Sequence, residues 1–153
     1  MKTVIVSVVI LLIIISAAVF LTKKAQTQPT YTGITTVPCQ DYTKPVRQEF
    51  SFTISITIHG KPYPISPVIG QDFGKCLHEI YTNDPSGRVF VKANDDTMFT
   101  LGDFFDVWKK TFSATQLGEY QNGRIKVSVD GNSVSTIRDT PLSSNESIEI
   151  TFP

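Results

Sequence analysis

Phe50-Ser51-Phe52-Thr53-Ile54-Ser55-Ile56-Thr57-Ile58 alternates large apolar and small hydroxyl side chains without a break. Successive side chains of a β-strand point to opposite faces, so this stretch puts its apolar groups on one side and its hydroxyls on the other. The period is two, not the 3.6 of a helix, and it reads as a strand with one buried face. His59-Gly60 follows as a turn, and Lys61 to Val68 is read as a returning strand. Pro62, Pro64 and Pro67 have no N–H to give a ladder, which puts that return on a sheet edge.

Toward the C-terminus, Gly87 to Ala93 (GRVFVKA) is a short strand with Val89 and Val91 on one face. Thr100 then offers an N-cap, and Asp103 sits three residues on, as a capping box requires. Leu101, Phe104, Phe105, Trp108 and Phe112 follow at helical spacing. Lys109 and Lys110 are placed in the last turn, where cations suit the helix dipole. Ile125, Val127 and Val129 alternate up to Asp130-Gly131, a strong two-residue turn signal, and Asn132 to Ile137 returns. Ser147 to Phe152 (SIEITF) is the last strand. The expected fold is α+β: a small mixed or antiparallel sheet of about six strands with one main packed helix. Strand–helix–strand order allows a β-grasp-like arrangement, and a small barrel or sandwich with one helix is the alternative.

Toward the N-terminus the chemistry changes. Thr3 to Thr22 holds twenty residues without a charge, mostly Val, Ile, Leu, Ala and Phe. As a helix it would rise about 30 Å, the thickness of the hydrocarbon layer of a bilayer. It shows no polar stripe, so it is read as a transmembrane anchor rather than a core helix. A cleaved signal peptide is the alternative, with Ser16-Ala17-Ala18 as small residues for a peptidase. Residues 23–36 (KKAQTQPTYTGITT) are polar, carry Pro29 and Gly33, and read as a flexible linker. The folded domain is expected over residues 37–153.

Lys2 before the span and Lys23-Lys24 after it leave the positive-inside rule nearly tied. The only two cysteines, Cys39 and Cys76, both fall in the downstream domain. An even count suits an oxidising compartment, so the expected protein is single-pass with its C-terminal domain outside the cytoplasm. Asn145-Glu146-Ser147 adds a glycosylation sequon. All fourteen Asp/Glu follow Lys24, against eleven Lys/Arg, so the domain is weakly acidic. Without a basic stripe it is a poor partner for nucleic acid.

Few residues carry chemistry. Cys39 and Cys76 are read as one structural disulfide, since there is no Cys-x-x-Cys pair. His59 sits in a turn. His78, two residues from Cys76, is a weak metal candidate, because a credible site needs three or four ligands. Asp95-Asp96 and Asp103/Asp106 are paired acids with structural readings: a loop for the first pair and a helix start for the second. No serine lies in a Gly-x-Ser-x-Gly elbow, and neither a P-loop nor Gly-x-Gly-x-x-Gly is present. No cofactor is expected.

Tyr81-Thr82-Asn83-Asp84-Pro85-Ser86-Gly87-Arg88-Val89-Phe90-Val91, followed by Phe99-Thr100-Leu101-Gly102-Asp103-Phe104-Phe105-Asp106-Val107-Trp108, resembles a family of small, mostly uncharacterised prokaryotic membrane-anchored or exported proteins. That family's pattern is His-Thr-His-Asp-x-x-Gly-x-x-His, then Thr-Leu-Gly-x-Phe-Phe-x-x-Trp, with a His-rich strand before an Ile-x-Ile-x-x-Gly hairpin. The resemblance spans about residues 37–153. Asp84, Gly87, Leu101, Gly102, Phe105 and Trp108 match it. The family's histidine positions fall on Tyr81, Asn83 and Phe90, and near Glu49, Ser51 and Thr53. The resemblance therefore implies a degenerate site at Tyr81, Asn83, Asp84 and Phe90, with any metal chemistry lost or replaced.

Three functions are weighed on this basis. The first is a non-catalytic extracytoplasmic binding module with a protein or small-molecule partner. The second is a metal-handling protein using Cys76, His78 and nearby acids. The third is a hydrolase-type enzyme using Asp84, Asp95 or Asp96.

Overall fold

The computed structural model describes residues 36–153. The anchor expected at 3–22, and the linker up to residue 35, lie outside the described residues. Among the described residues no helix is long and apolar enough to cross a membrane.

The alternating stretch forms β1 (Gln48–Ile58), which turns at His59-Gly60 into β2 (Lys61–Tyr63). A short pair follows, β3 (Gln71–Asp72) with β4 (Cys76–Leu77), and then β5 (Ile80–Thr82) and β6 (Arg88–Ala93). Helix α1 (Leu101–Val107) comes next. The chain ends with a second short pair, β7 (Gln116–Leu117) and β8 (Tyr120–Gln121), then β9 (Lys126–Val129), β10 (Asn132–Val134) and β11 (Ser147–Phe152). The main sheet runs β10-β9-β11-β1-β6-β5, with β2 also beside β1. It is mixed: β1 and β11 are parallel at its centre, with Thr53 opposite Ser147 and Ile58 opposite Phe152. The other pairs are antiparallel. The fold is thus α+β, mostly sheet with one short helix.

The buried face of β1 carries Phe52, Ile54, Ile56 and Ile58. Ile148, Ile150 and Phe152 of β11 continue it on one side, and Val89, Val91 and Ala93 of β6 on the other. Helix α1 lays Leu101, Phe104 and Phe105, each fully buried, on this face. Phe104 meets Phe52 edge-on with ring centroids 6.4 Å apart. Each such buried side chain contributes about 1.5–3 kcal/mol of transfer free energy.

Helix α1 starts as the sequence indicates. The Thr100 hydroxyl accepts from the Asp103 N–H, and the Asp103 carboxylate accepts from the Thr100 N–H at 2.8 Å. The next two free helix donors go to another segment: Leu101 N–H to Thr140 O and Gly102 N–H to Arg138 O, both 2.8 Å. That close approach explains the glycine. A Cβ at position 102 would lie 3.0 Å from the Arg138 carbonyl oxygen. Gly87 has a stricter reason, since its φ is +85° and a Cβ there would collide with the Ile54 carbonyl oxygen.

The helix is shorter than the sequence spacing suggests. It ends at Val107, Trp108 is its C-cap, and Lys109 takes φ +58°. Lys109 and Lys110 therefore lie beyond the last turn. Phe112 returns by another route and stacks on Phe105 with centroids 3.9 Å apart. The aromatic spacing was right about the core but not about the helix length, because tertiary stacking placed Phe112.

Both turns read from the sequence form. His59 and Gly60 have φ of 50° and 75°, and Asp130 and Gly131 have 49° and 80°. Positive φ at both central residues is the type I′ turn that matches strand twist. The returning strand expected over Lys61 to Val68 extends only through Tyr63, with Pro64 next in the chain.

Candidate functional site

Cys39 and Cys76 form the expected disulfide, with Cα atoms 5.4 Å apart. Cys39 belongs to a segment that adds to the edge of the β4–β5 stretch. Gln40 N–H donates to Leu77 O at 2.8 Å, and Glu79 N–H donates to Pro38 O at 3.0 Å. Cys39 lies opposite His78, and Cys76 lies opposite Asp72. Cys76 and His78 are two residues apart on extended chain, so they share a face. Three adjoining segments thus bring Cys39, Cys76, His78 and Asp72 together.

His78 is nearly buried. Its Nδ1 is 2.9 Å from the Val37 carbonyl oxygen, and its Nε2 is 3.9 Å from an Asp72 carboxylate oxygen. The two sulfurs and one ring nitrogen of His78 lie within 4.8 Å of one another. Among the described residues this is the group that could hold a metal ion. In the disulfide the sulfurs are not thiolates, and the thiolate is the form that ligates metal.

A cleft of about 480 Å³ opens beside the disulfide, lined by Tyr42, Gln71, Asp72, Phe73 and Lys75 among others. Tyr42 and Phe73 are more than three-quarters exposed. A smaller cavity of about 140 Å³ adjoins it through Gln71 and Asp72 and reaches His78, Trp108 and Lys109. The Lys109 ammonium is 3.6 Å from Asp72. A cleft of this size is typical of small-molecule sites.

The segment from Cys39 to Arg47 is also held by Asn94. Its Oδ1 accepts from Asp41 N–H at 2.7 Å, and its Nδ2 reaches the carbonyls of Asp41, Lys44 and Pro45 at 3.1, 3.4 and 3.3 Å. Beneath lies Glu79, 2% exposed. One carboxylate oxygen accepts from Asn94 N–H at 2.9 Å, and the other has no hydrogen-bond partner among the described residues. Burial raises the Glu79 pKa above its ordinary value.

The remaining acids are placed as structural groups. Asp84 accepts from Ser86 N–H at 2.7 Å, and Asp95 accepts from Thr97. These bonds lower both pKa values, first through the neighbour's hydroxyl and then through its backbone N–H. Asp96 pairs with Arg47 at 3.1 Å. Asp84 follows β5 whereas Asp95 and Asp96 follow β6, so the length of β6, roughly 20 Å, separates them. Asp106 is paired with Arg138 at 2.7 Å. His59 is exposed in its turn and meets Tyr120 and Phe152 edge-on at 5.8 and 5.7 Å. Asn145 is exposed ahead of β11, with φ of 62°.

The positions singled out by the resemblance largely converge. Ser51 lies opposite Phe90, and Phe90 lies opposite Tyr81, on the open face of the sheet. Glu49 and Thr53 flank them on β1 and point the same way. Tyr81 and Phe90 are stacked at 5.6 Å. Arg88 lies 5.3 Å over the Phe90 ring and donates to the Ser51 hydroxyl at 3.0 Å. Burial, with Glu49 and Tyr42 nearby, raises the Tyr81 pKa. Asn83 lies past the end of β5, where its side-chain oxygen accepts from Gln71 at 3.3 Å.

No family model matches the chain, and no curated protein and no solved structure matches it.

Sequence reasoning did not single out Asp72, Glu79, Asn94 or Arg138. Asp72-Phe73-Gly74-Lys75-Cys76 does carry a usable signal, because Gly74 adopts φ +76° in a turn that sets Asp72 opposite Cys76. Glu79 and Asn94 carry none, since their role arises only when a segment some forty to fifty residues earlier folds over them.

Proposed function

We propose that this chain is a single-pass protein that holds a non-catalytic binding domain, residues 37–153, outside the cytoplasm. Residues 3–22 are its anchor and 23–36 its tether. The observation that carries this reading is the Cys39–Cys76 bond, formed within a few residues of the tether. Such bonds persist in oxidising compartments. The recognition surface is the cleft beside that bond. It is lined by exposed Tyr42 and Phe73 together with the polar Gln71 and Asp72, which suits a ligand with one flat apolar face and a polar edge.

The strand order supports a β-grasp-like reading. A hairpin partner, the first strand and the last strand lie side by side, the last two parallel, with a helix across one face. The resemblance to small exported prokaryotic proteins fits the same assignment, with the histidine positions at Tyr81 and Phe90 now a stacked pair capped by Arg88. Hydrolase-type use of Asp84, Asp95 or Asp96 gains no support. Each is tied to a turn or an exposed ion pair, and the lowered pKa values of Asp84 and Asp95 oppose a general-acid role.

The test is protease shaving of intact cells that make the full chain. Removal of the domain from unbroken cells is expected, together with a non-reducing peptide map linking Cys39 to Cys76. A domain protected until lysis, or free thiols at both positions, sinks the reading.

A further inference from the structure

We infer that reduction of the Cys39–Cys76 bond turns this corner into a four-ligand site for a zinc-class divalent ion, with Cys39, Cys76, His78 and Asp72 as the donors. The inference sharpens the metal-handling alternative and does not depend on the cleft being a recognition surface.

Placement comes first. Asp72 is opposite Cys76 in one strand pair, and Cys39 is opposite His78 in the next. Direct cross-strand neighbours share a face, so all four side chains project to one side. The sulfurs and a ring nitrogen of His78 already lie within 4.8 Å of one another. Two thiolates on one tetrahedral zinc sit about 3.8 Å apart, given Zn–S bonds near 2.3 Å. With Cα atoms 5.4 Å apart, side-chain rotation supplies that separation.

The histidine is prepared for the role. A carbonyl oxygen only accepts, so Nδ1, 2.9 Å from Val37 O, carries the proton of the neutral ring. Nε2 keeps its lone pair, and it is the nitrogen that faces Asp72 at 3.9 Å. A ligating histidine whose other N–H is held by a carbonyl is the usual arrangement at zinc sites. Lys109, 3.6 Å from the other Asp72 oxygen, steadies the carboxylate. The donor set of two thiolates, an imidazole and a carboxylate suits zinc, whereas calcium and magnesium prefer oxygen ligands.

The chemistry balances as follows. A dithiol reductant delivers two electrons and two protons to the S–S bond, giving two thiols, and itself becomes a disulfide. The ion then binds both sulfurs and displaces their two protons to solvent. A disulfide oxidant reverses the sequence: it takes the two electrons from the two thiolates, and two protons from solvent, to become a dithiol, while the S–S bond re-forms and the ion is released.

The full-length chain in detergent micelles is reduced with excess dithiol, desalted under nitrogen and titrated with Co(II) as a spectroscopic stand-in for zinc. The expected result is one Co(II) per chain, with thiolate-to-cobalt charge transfer and the visible bands of a tetrahedral ion. The oxidised chain should show neither. His78→Gln and Asp72→Asn should each weaken binding by about 10-fold or more, since outer-shell partners alone are worth about 10–100-fold. Asp72 is exposed, so its variant does not put folding at risk. The inference is overturned if the reduced chain binds no Co(II), if the oxidised chain binds it equally, or if either variant binds as well as the parent. It is also overturned if reduction abolishes the sheet signal in circular dichroism.

Discussion

Two adjoining regions of this domain are held by different means. On the helix side, Phe52, Phe104, Phe105 and Phe112 pack ring to ring in sequence, with Leu101 buried beside them in the apolar core. At the disulfide corner, residues 37–47 lie against the sheet edge with Val37 as their one buried apolar side chain. That segment is fixed by one covalent bond, the Asn94 hydrogen bonds, His78 on Val37 O and Arg47 N–H on Ala93 O at 2.9 Å. Apolar burial is cooperative and does not itself respond to redox state or pH. Cross-links and polar contacts are local and respond to redox state and pH. The difference places adjustable chemistry at the corner and leaves the core as a scaffold.

The hardest test of that contrast is Phe105→Ala. It empties a site stacked between Phe112 and Trp108, and a loss of about 3–5 kcal/mol is expected in urea denaturation. A cost under about 1 kcal/mol would mean the core is not the scaffold described. Joint replacement Cys39→Ser with Cys76→Ser comes next. It opens a loop of 37 residues and should cost about 3–4 kcal/mol in the chain-entropy model. Hydrogen exchange sharpens the point. The Gln40 and Glu79 amides should exchange faster, while those of β1 and β11 stay protected. Equal acceleration everywhere would erase the distinction between the two regions.

Asn94→Ala should cost about 1–3 kcal/mol, because the Asp41 amide loses its acceptor and three carbonyls lose a donor. The same exchange experiment reads whether the loosening is confined to residues 41–47. Glu79 probes the corner through pH. Its folded pKa lies above 4.5, so the folded state keeps a proton that the unfolded chain gives up. Stability is therefore expected to fall as pH rises through that interval. Glu79→Gln does not titrate, and its stability curve above pH 4.5 should be flatter than the parent's when both are followed by thermal melts. An unchanged slope would remove Glu79 from the account. The smallest effect belongs to Arg47→Ala. Its pair with Asp96 is more than half exposed on both sides, and a change of no more than about 1 kcal/mol in the same melts is expected.

The contrast also explains what could be read in advance. Alternation in Phe50–Ile58 and Ser147–Phe152 marked β1 and β11, because one-sided burial forces a period of two. Thr100 and Asp103 marked the start of α1, because capping is local. β5 escaped notice, since three residues show no period and its backbone pairing to β6 is what makes it a strand. The disulfide was legible from cysteine count alone, but its company was not. Asp72 reaches the corner through a hairpin, Asn94 from the end of β6, and Glu79 is buried only after the incoming segment covers it. The acids the sequence offered, Asp84 and Asp95, shape turns, which is what Asp residues followed two positions on by Ser or Thr do well.

The parallel contact between β1 and β11 has a kinetic consequence. Thr53 pairs with Ser147, so the two central strands are nearly a hundred residues apart in sequence. At roughly 5–20 residues per second of synthesis, β1 waits about 5–20 s before its permanent neighbour exists. During that time the edge of β1 that β11 will take lacks its partner, and long-range pairing of this kind is slow once the partner arrives. Cys76, by contrast, follows Cys39 within a few seconds. The corner can be stapled before the sheet closes, so the arrival of β11 decides when the domain becomes a domain.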